Sequence, residues 1–240
     1  MTRTKIEWAD ETINPTTGCT EYGMDCANCY ARRMSQRLKA MGAPKYRDGF
    51  EPRFHQSTLK PIRGNSKLIF VNSMSDLFHK EFSLEIINEV LKWIREQPKH
   101  RFIVLTKRAE RLTEIDDQVA WPENLILGVS IGMNRYVYRA DLIRKCGART
   151  KLVSAEPLLE DLPDLDLRGI HWLISGGESG PGHRPFNPQW AINLKDRCKR
   201  DAIAFFHKQN GGLRPKSNGR MLNGREYTEY PVVPGEKECI

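Results

Sequence analysis

Six short apolar runs recur between residues 67 and 207, each nearly continuous in apolar residues and each closing on a polar one. They span 67–72, 101–106, 125–130, 151–154, 171–175 and 202–207. A strand covered on both faces reads this way, because neither side of its pleat meets water. Between the runs lie helical patterns. Residues 83–95 open on Ser83, a good N-cap, and repeat apolar residues at intervals of three and four. Residues 134–146 and 188–200 follow a similar pattern, and 32–41 predict a first helix ahead of them all. Strand and helix in such alternation specify the α/β class, with a parallel sheet and right-handed crossovers. With a seventh strand-like piece near the N-terminus, the expected architecture is a partial or closed parallel (β/α) barrel. A length of 240 residues suits one such domain over 1–240.

Barrels of this kind collect function at the carboxyl ends of their strands. Here those ends read Asn72-Ser73-Met74-Ser75-Asp76, Thr106-Lys107-Arg108, Ser130, Ser154-Ala155-Glu156, Ser175-Gly176-Gly177-Glu178 and His207-Lys208-Gln209. Any one of these could be a helix cap, but six polar exits predict a polar mouth above an apolar barrel. Residues 42–66 are rich in Pro, Gly, Arg and aromatics without periodicity, and predict an inserted loop over that mouth. Residues 211–240 predict a C-terminal extension wrapped on the surface.

Of six cysteines, Cys19, Cys26 and Cys29 cluster in the loop 14–33, while Cys146, Cys198 and Cys239 are scattered. The pattern argues against a disulfide framework and for one thiolate site. Cys146 and Cys198 sit in helical stretches and suit packing. Three thiolates on one loop can hold three irons of a cubane and leave the fourth open. Structural zinc is an alternative, with His55 or His79 completing the set. A Cys26-x-x-Cys29 dithiol is another, though it leaves Cys19 without a role.

The net charge of +8 favours a polyanionic partner. Arg32, Arg33, Arg37, Lys45, Arg47, Arg53 and Lys60, interleaved with Tyr46, Phe50 and Phe54, form a basic and aromatic stretch beside the cysteine loop. No apolar run approaches the ~20 residues that cross a bilayer, and the first residues lack the apolar stretch of a signal peptide. A cytoplasmic protein without a membrane partner is therefore expected.

The stretch Asn14-Pro-x-x-Gly-Cys19…Cys26-x-x-Cys29-Tyr30-Ala-Arg resembles the signature loop of radical S-adenosylmethionine (SAM) enzymes, nearest the spore photoproduct lyase branch. It departs from the common spacing: six residues, not three, separate the first two cysteines, and Asn28 occupies the usual aromatic position. Nearly end to end, the chain also resembles a phage-encoded family of poorly described function. That likeness rests on Ile6-Glu-Trp8, Gly176-Gly-Glu-Ser-Gly-Pro181, Arg184-Pro185, Phe206, Lys208-Gln209, Gly211-Gly212 and Glu229-Tyr-Pro231.

The resemblance implies a barrel of the radical SAM type, a [4Fe–4S] cluster on Cys19, Cys26 and Cys29, and SAM bound to its open iron. Position by position it implies that Ser73, Ser75 and Asp76 meet the SAM ammonium. Thr106, Lys107 and Ser130 lie near its ribose or carboxylate, with Arg139 a carboxylate partner. Glu178, Glu156 and Lys208 are candidate catalytic or substrate-anchoring residues. The implied substrate is DNA or a nucleotide, modified or isomerised at a base or base-attached group such as a hypermodified thymidine side chain. An electron donor of flavodoxin or ferredoxin type and a location in the host cytoplasm complete the expectation. A lesion-repair lyase, returning hydrogen from a thiol or tyrosine near the pocket, with Cys146 or Cys198 then having to reach the mouth, and a non-catalytic zinc-stapled nucleic-acid-binding module are the alternatives.

Overall fold

The computed structural model describes residues 2–4 and 6–232; Cys239 lies outside the described residues. In chain order the strands are β1 (Thr2–Arg3), β2 (Glu11–Ile13), β3 (Thr16–Thr17), β4 (Arg53–Phe54), β5 (Leu68–Val71), β6 (Arg101–Thr106), β7 (Leu125–Ser130), β8 (Thr150–Ala155), β9 (Trp172–Ser175) and β10 (Ala204–His207). The helices are α1 (Tyr30–Ala40), α2 (Leu84–Arg95), α3 (Ala109–Ile115), α4 (Tyr138–Lys145) and α5 (Pro188–Arg200). The main sheet runs β1-β2-β5-β6-β7-β8-β9-β10. β1 is antiparallel to β2, and the seven strands from β2 to β10 are all parallel. The sheet curls into a half-barrel with β1 and β10 as its edges, so the barrel is partial and not closed.

Alternation along the strands builds two apolar layers. Ile69, Val71, Phe102, Val104, Leu127, Val129, Val153, Leu173 and Phe205 face the helices, where they meet Ile87, Leu91, Leu112, Ile143 and Leu194. Their alternates Phe70, Ile103, Ile126, Leu152, Trp172, Ile174 and Phe206 line the concave face and close around Trp8. Trp8 lies 4.8 Å from the Phe70 ring and 6.4 Å edge-on to Trp172. Because both faces are covered, the strands carry no polar alternation, which is why they were legible as continuous runs.

Two connections differ from the helical pattern. α3 buries only Ala109, Leu112 and Ile115 and is too short for its period to stand out. Between β8 and β9 the chain has no helix; Pro157 and Pro163 interrupt it, and Leu158, Leu162, Leu165 and Leu167 cover the sheet from an irregular segment. The segment 42–66 pairs β4 antiparallel to β3 and packs on the first half of the cysteine loop. The C-terminal segment is exposed over 213–219 but then lies along β10: Thr228 bridges Phe206 antiparallel, and Trp172 donates its indole N–H to the Glu229 carbonyl (2.9 Å). This covers an otherwise open sheet edge. No described helix is long and apolar enough to cross a membrane.

Candidate active site

Parallel strands deliver all their carboxyl ends to one rim, and the cysteine loop is seated on it. Gly18 (φ +83°) forms a parallel bridge to Ser75, and Cys19 donates its backbone N–H to the Phe50 carbonyl (3.1 Å). A Cβ at Gly18 would stand 2.1 Å from the Glu51 carbonyl oxygen, so only glycine permits this approach. A 3₁₀ turn over Met24–Cys26 follows, and Cys29 caps α1. Cys19, Cys26 and Cys29 are all partly exposed, whereas Cys146 and Cys198 are buried.

Consecutive residues at the exit of β6 bring a cation to each of two thiols. Lys107 Nζ lies 3.6 Å from Cys26 Sγ and donates to the Asp25 carbonyl (2.9 Å). Arg108 Nη2 lies 3.9 Å from Cys19 Sγ and donates to the carbonyl and hydroxyl of Thr20 (both 3.1 Å). Burial, followed by the charge of Asp76, outweighs Arg108 and pushes the Cys19 thiol up to about 11. Ligation to iron would deprotonate such a thiol outright. A cubane takes one thiolate per iron, a wider set than a single ion needs. Among the described residues no three His, Cys, Asp or Glu side chains are grouped to hold one metal ion. His55 and His79, the candidates for completing a zinc site, each share a 2.8 Å hydrogen bond with a threonine hydroxyl, Thr17 and Thr20 respectively.

The six-residue spacer between Cys19 and Cys26 is what docks the loop. Its Asp25 is buried and accepts from Arg139 Nη1 (3.1 Å), with Lys107 Nζ 3.4 Å away. Arg139 is fully buried, also donates to the Ser130 carbonyl (2.8 Å) and stacks 4.1 Å over the Tyr136 ring. It therefore presents no face to the mouth and acts on the loop through Asp25. Tyr136 in turn accepts from the Met24 backbone N–H (3.0 Å).

A second clamp comes from the turn after β9. Glu178 accepts from the Asn28 amide (2.8 Å) and from the backbone and Nε of Arg184 (2.8 and 3.0 Å). Arg184 Nη1 reaches the Met24 carbonyl (2.9 Å). Burial opposes ionisation of Glu178, but the hydrogen bonds from Arg184 and Asn28 outweigh it and hold the carboxyl below its ordinary range. Asn28 is thus the loop's handle on the barrel. The depressed Glu178 carboxyl contributes stability that is full above the unfolded carboxyl value of about 4.3 and lost as pH falls through the folded value. Glu178→Gln is expected to flatten the acid limb of a melting-temperature profile; an unchanged limb would count against the clamp.

The remaining predicted residues divide between bracing and facing the mouth. Asp76 is buried and accepts from the Thr106 hydroxyl (2.8 Å), the Lys107 backbone (3.1 Å) and the Phe78 backbone (3.0 Å). It ties the exit of β5 to that of β6. Ser75 donates to the Gly18 carbonyl (2.8 Å), and Ser73 to Asn14 (3.2 Å), so both hold the loop. Ser130 is buried beneath Asp25's partner Arg139. Glu156 and Lys208 continue the concave alternation beyond Leu152 and Phe206 and pair at 3.3 Å, with Glu156 Oε1 lacking a partner. His207 belongs to the opposite face: it is buried between Ser175 (2.8 Å) and Asn210 (2.9 Å) and stacks on Phe186, so it does not serve the mouth.

Cys146 and Cys198 lie in the helix-facing layer, away from the mouth. Burial raises both thiols, Cys198 to about 12. Neither thiol faces the mouth, so a repair lyase on this fold would draw its hydrogen from another group. The basic stretch is also partly neutralised: Arg32 pairs with Glu21, Arg47 and Arg53 with Asp48, and Lys45 is spent on Asn14 and Thr58.

Fold and site together define an α/β half-barrel protein with a three-thiol loop braced on its carboxyl-end rim. The chain belongs to the family described as protein of unknown function (DUF5131), whose model matches residues 3–231. No curated protein matches it. Two solved structures are similar: a mutant spore photoproduct lyase with bound AdoMet and dinucleoside spore photoproduct, at 14% identity, and spore photoproduct lyase complexed with dinucleoside spore photoproduct, at 13%. Each has a TM-score of 0.47, covering 83% of this chain and 63% of the other.

Proposed function

We propose that this protein is a radical SAM enzyme that modifies or isomerises a nucleobase or base-attached group in DNA. The observation that carries this reading is the placement of Lys107 and Arg108 against Cys26 and Cys19, on a three-thiol loop at the mouth of a half-barrel. Two fixed cations beside the thiols offset the charge of an anionic iron–sulfur centre. Cys19, Cys26 and Cys29 would hold a [4Fe–4S] cluster that, when bound and reduced by a flavodoxin- or ferredoxin-type donor, would supply one electron for the cleavage of SAM to methionine and a 5′-deoxyadenosyl radical.

The chain's own residues then have separable tasks. Lys107, with a partly exposed side chain at the rim, is the cation positioned for the SAM carboxylate. Asp76 holds the Lys107 backbone in place, and Thr106 is spent on Asp76. Arg139 and Glu178 fix the loop from opposite sides. Glu156 and Lys208 stand on the concave face, where they can anchor a substrate's polar groups or exchange a proton with it. The substrate base must enter unpaired or flipped to meet a radical at this depth.

Mass spectrometry of nucleosides tests the substrate assignment. DNA incubated with the reduced enzyme and SAM is expected to yield a nucleoside of altered mass or altered chromatographic position. An unchanged profile across DNA with natural and with hypermodified bases would contradict it.

A further inference from the structure

α1 is built with its apolar residues on the wrong side for a helix that only packs. It buries just Ala31 and Ser35 among its eleven residues. Tyr30, Arg33, Met34, Arg37 and Met41 fall at i, i+3, i+4, i+7 and i+11, a single stripe, and that stripe is exposed. Tyr30 is 51% exposed, Met34 42% and Met41 69%. A stripe of this composition normally faces a neighbour. The helix also carries Arg32, Arg33, Arg37 and Lys39 with no acidic residue, and among the described residues Arg37 and Lys39 have no ion-pair partner.

The stripe starts at the mouth. Tyr30 follows Cys29 directly, and its hydroxyl donates to the Ser73 carbonyl at the exit of β5. The anchor fixes the ring while leaving its face open. A rigid aromatic beside the pocket, continued by cations and methionines along one helix face, is a stacking platform followed by a backbone track. We propose that the exposed stripe of α1 binds single-stranded DNA, with Arg37 on the phosphates and a base stacked on Tyr30. The proposal rests on the reading of the mouth as a nucleobase-modifying site. The charge of α1 decides for a polyanion, and the anchored aromatic at the pocket end decides for one that carries bases.

Fluorescence anisotropy with a short labelled single-stranded oligodeoxynucleotide tests it on the full-length protein. The Arg37→Glu variant is expected to bind about fivefold more weakly or worse. The slope of log K against log salt should fall by about 0.7, as for one lost single-strand phosphate contact. Tyr30→Leu should weaken binding by roughly fivefold or more, the equivalent of a lost base stack, while Tyr30→Phe keeps it. Melting temperature serves as the folding control, since these side chains are exposed. Equal affinity and slope in wild type and the Arg37→Glu variant would overturn the proposal, as would absence of wild-type binding at low salt. Polyphosphate competing as well as the oligonucleotide would also overturn it and assign the stripe to an acidic protein partner. SAM cleavage by the wild-type enzyme without DNA, measured alongside, reports on the site separately.

Discussion

Cys26→Ala is expected to leave a folded protein that retains essentially no iron–sulfur centre and cleaves no SAM. The fold should survive because Cys26 contributes little to it beyond its backbone. Its amide donates to the Gly23 carbonyl (2.9 Å) and its carbonyl accepts from Cys29 (3.1 Å), and alanine keeps both. The thiol receives a hydrogen bond from Lys107 and sits partly exposed, so its loss opens no cavity in the core. Removing one of three thiolates, in contrast, leaves two irons of a cubane without protein ligands. Iron per chain, measured after anaerobic reconstitution, should drop from about four to near zero, together with broad absorption near ~400 nm. Retained iron with an unaltered melting temperature would show that Cys26 is not a ligand. Cys198→Ala, in the helix-facing core, should do the reverse and cost stability while keeping iron.

Arg139→Ala is expected to produce the largest loss of stability near the site. The guanidinium is fully buried, and its removal leaves the Asp25 carboxylate buried with Lys107 as its remaining ion-pair partner among the described residues. Breaking such a pair costs about 3–5 kcal/mol, and the remaining Lys107 places this case at the low end. For a chain of this size, about 3 kcal/mol lowers the melting temperature by roughly 6–12 °C. The loop should loosen with it, since Tyr136 loses the cation stacked on its ring and Asp25 loses its closest partner. Alkylation of Cys26 in the metal-free protein should therefore accelerate more than that of Cys19, which is held from the other side by Phe50 and Arg108. A shift below 2 °C, or equal acceleration at both cysteines, would contradict the assignment of Arg139 as a brace.

Much of this architecture is legible in the amino-acid order because the strands are short, doubly covered and therefore continuously apolar. Val71, Val104, Val129 and Ile174 stand in runs that no other element type explains at that length. The polar exits were equally visible, and so was the cysteine loop. Side-chain direction at those exits was not. Asp76 and Thr106 look like ligand-facing groups in sequence, yet they satisfy one another because neighbouring parallel strands bring their exits side by side. His207 and Lys208 are adjacent in sequence and belong to opposite faces of the sheet. Arg139 reads as a solvated helix residue or a ligand partner; only tertiary contact reveals that it reaches back to Asp25, a separation of 114 residues. The Glu178–Asn28 clamp spans 150 residues and has no local trace beyond the departure at Asn28 itself.

The central claim is that the thiol loop generates a radical from SAM. The direct measurement is anaerobic incubation of the iron- and sulfide-reconstituted protein with SAM and dithionite, followed by chromatography of the products. The expected product is 5′-deoxyadenosine, formed only with reductant and absent in the Cys26→Ala variant. Recovery of unchanged SAM from a protein that carries a full complement of iron would contradict it.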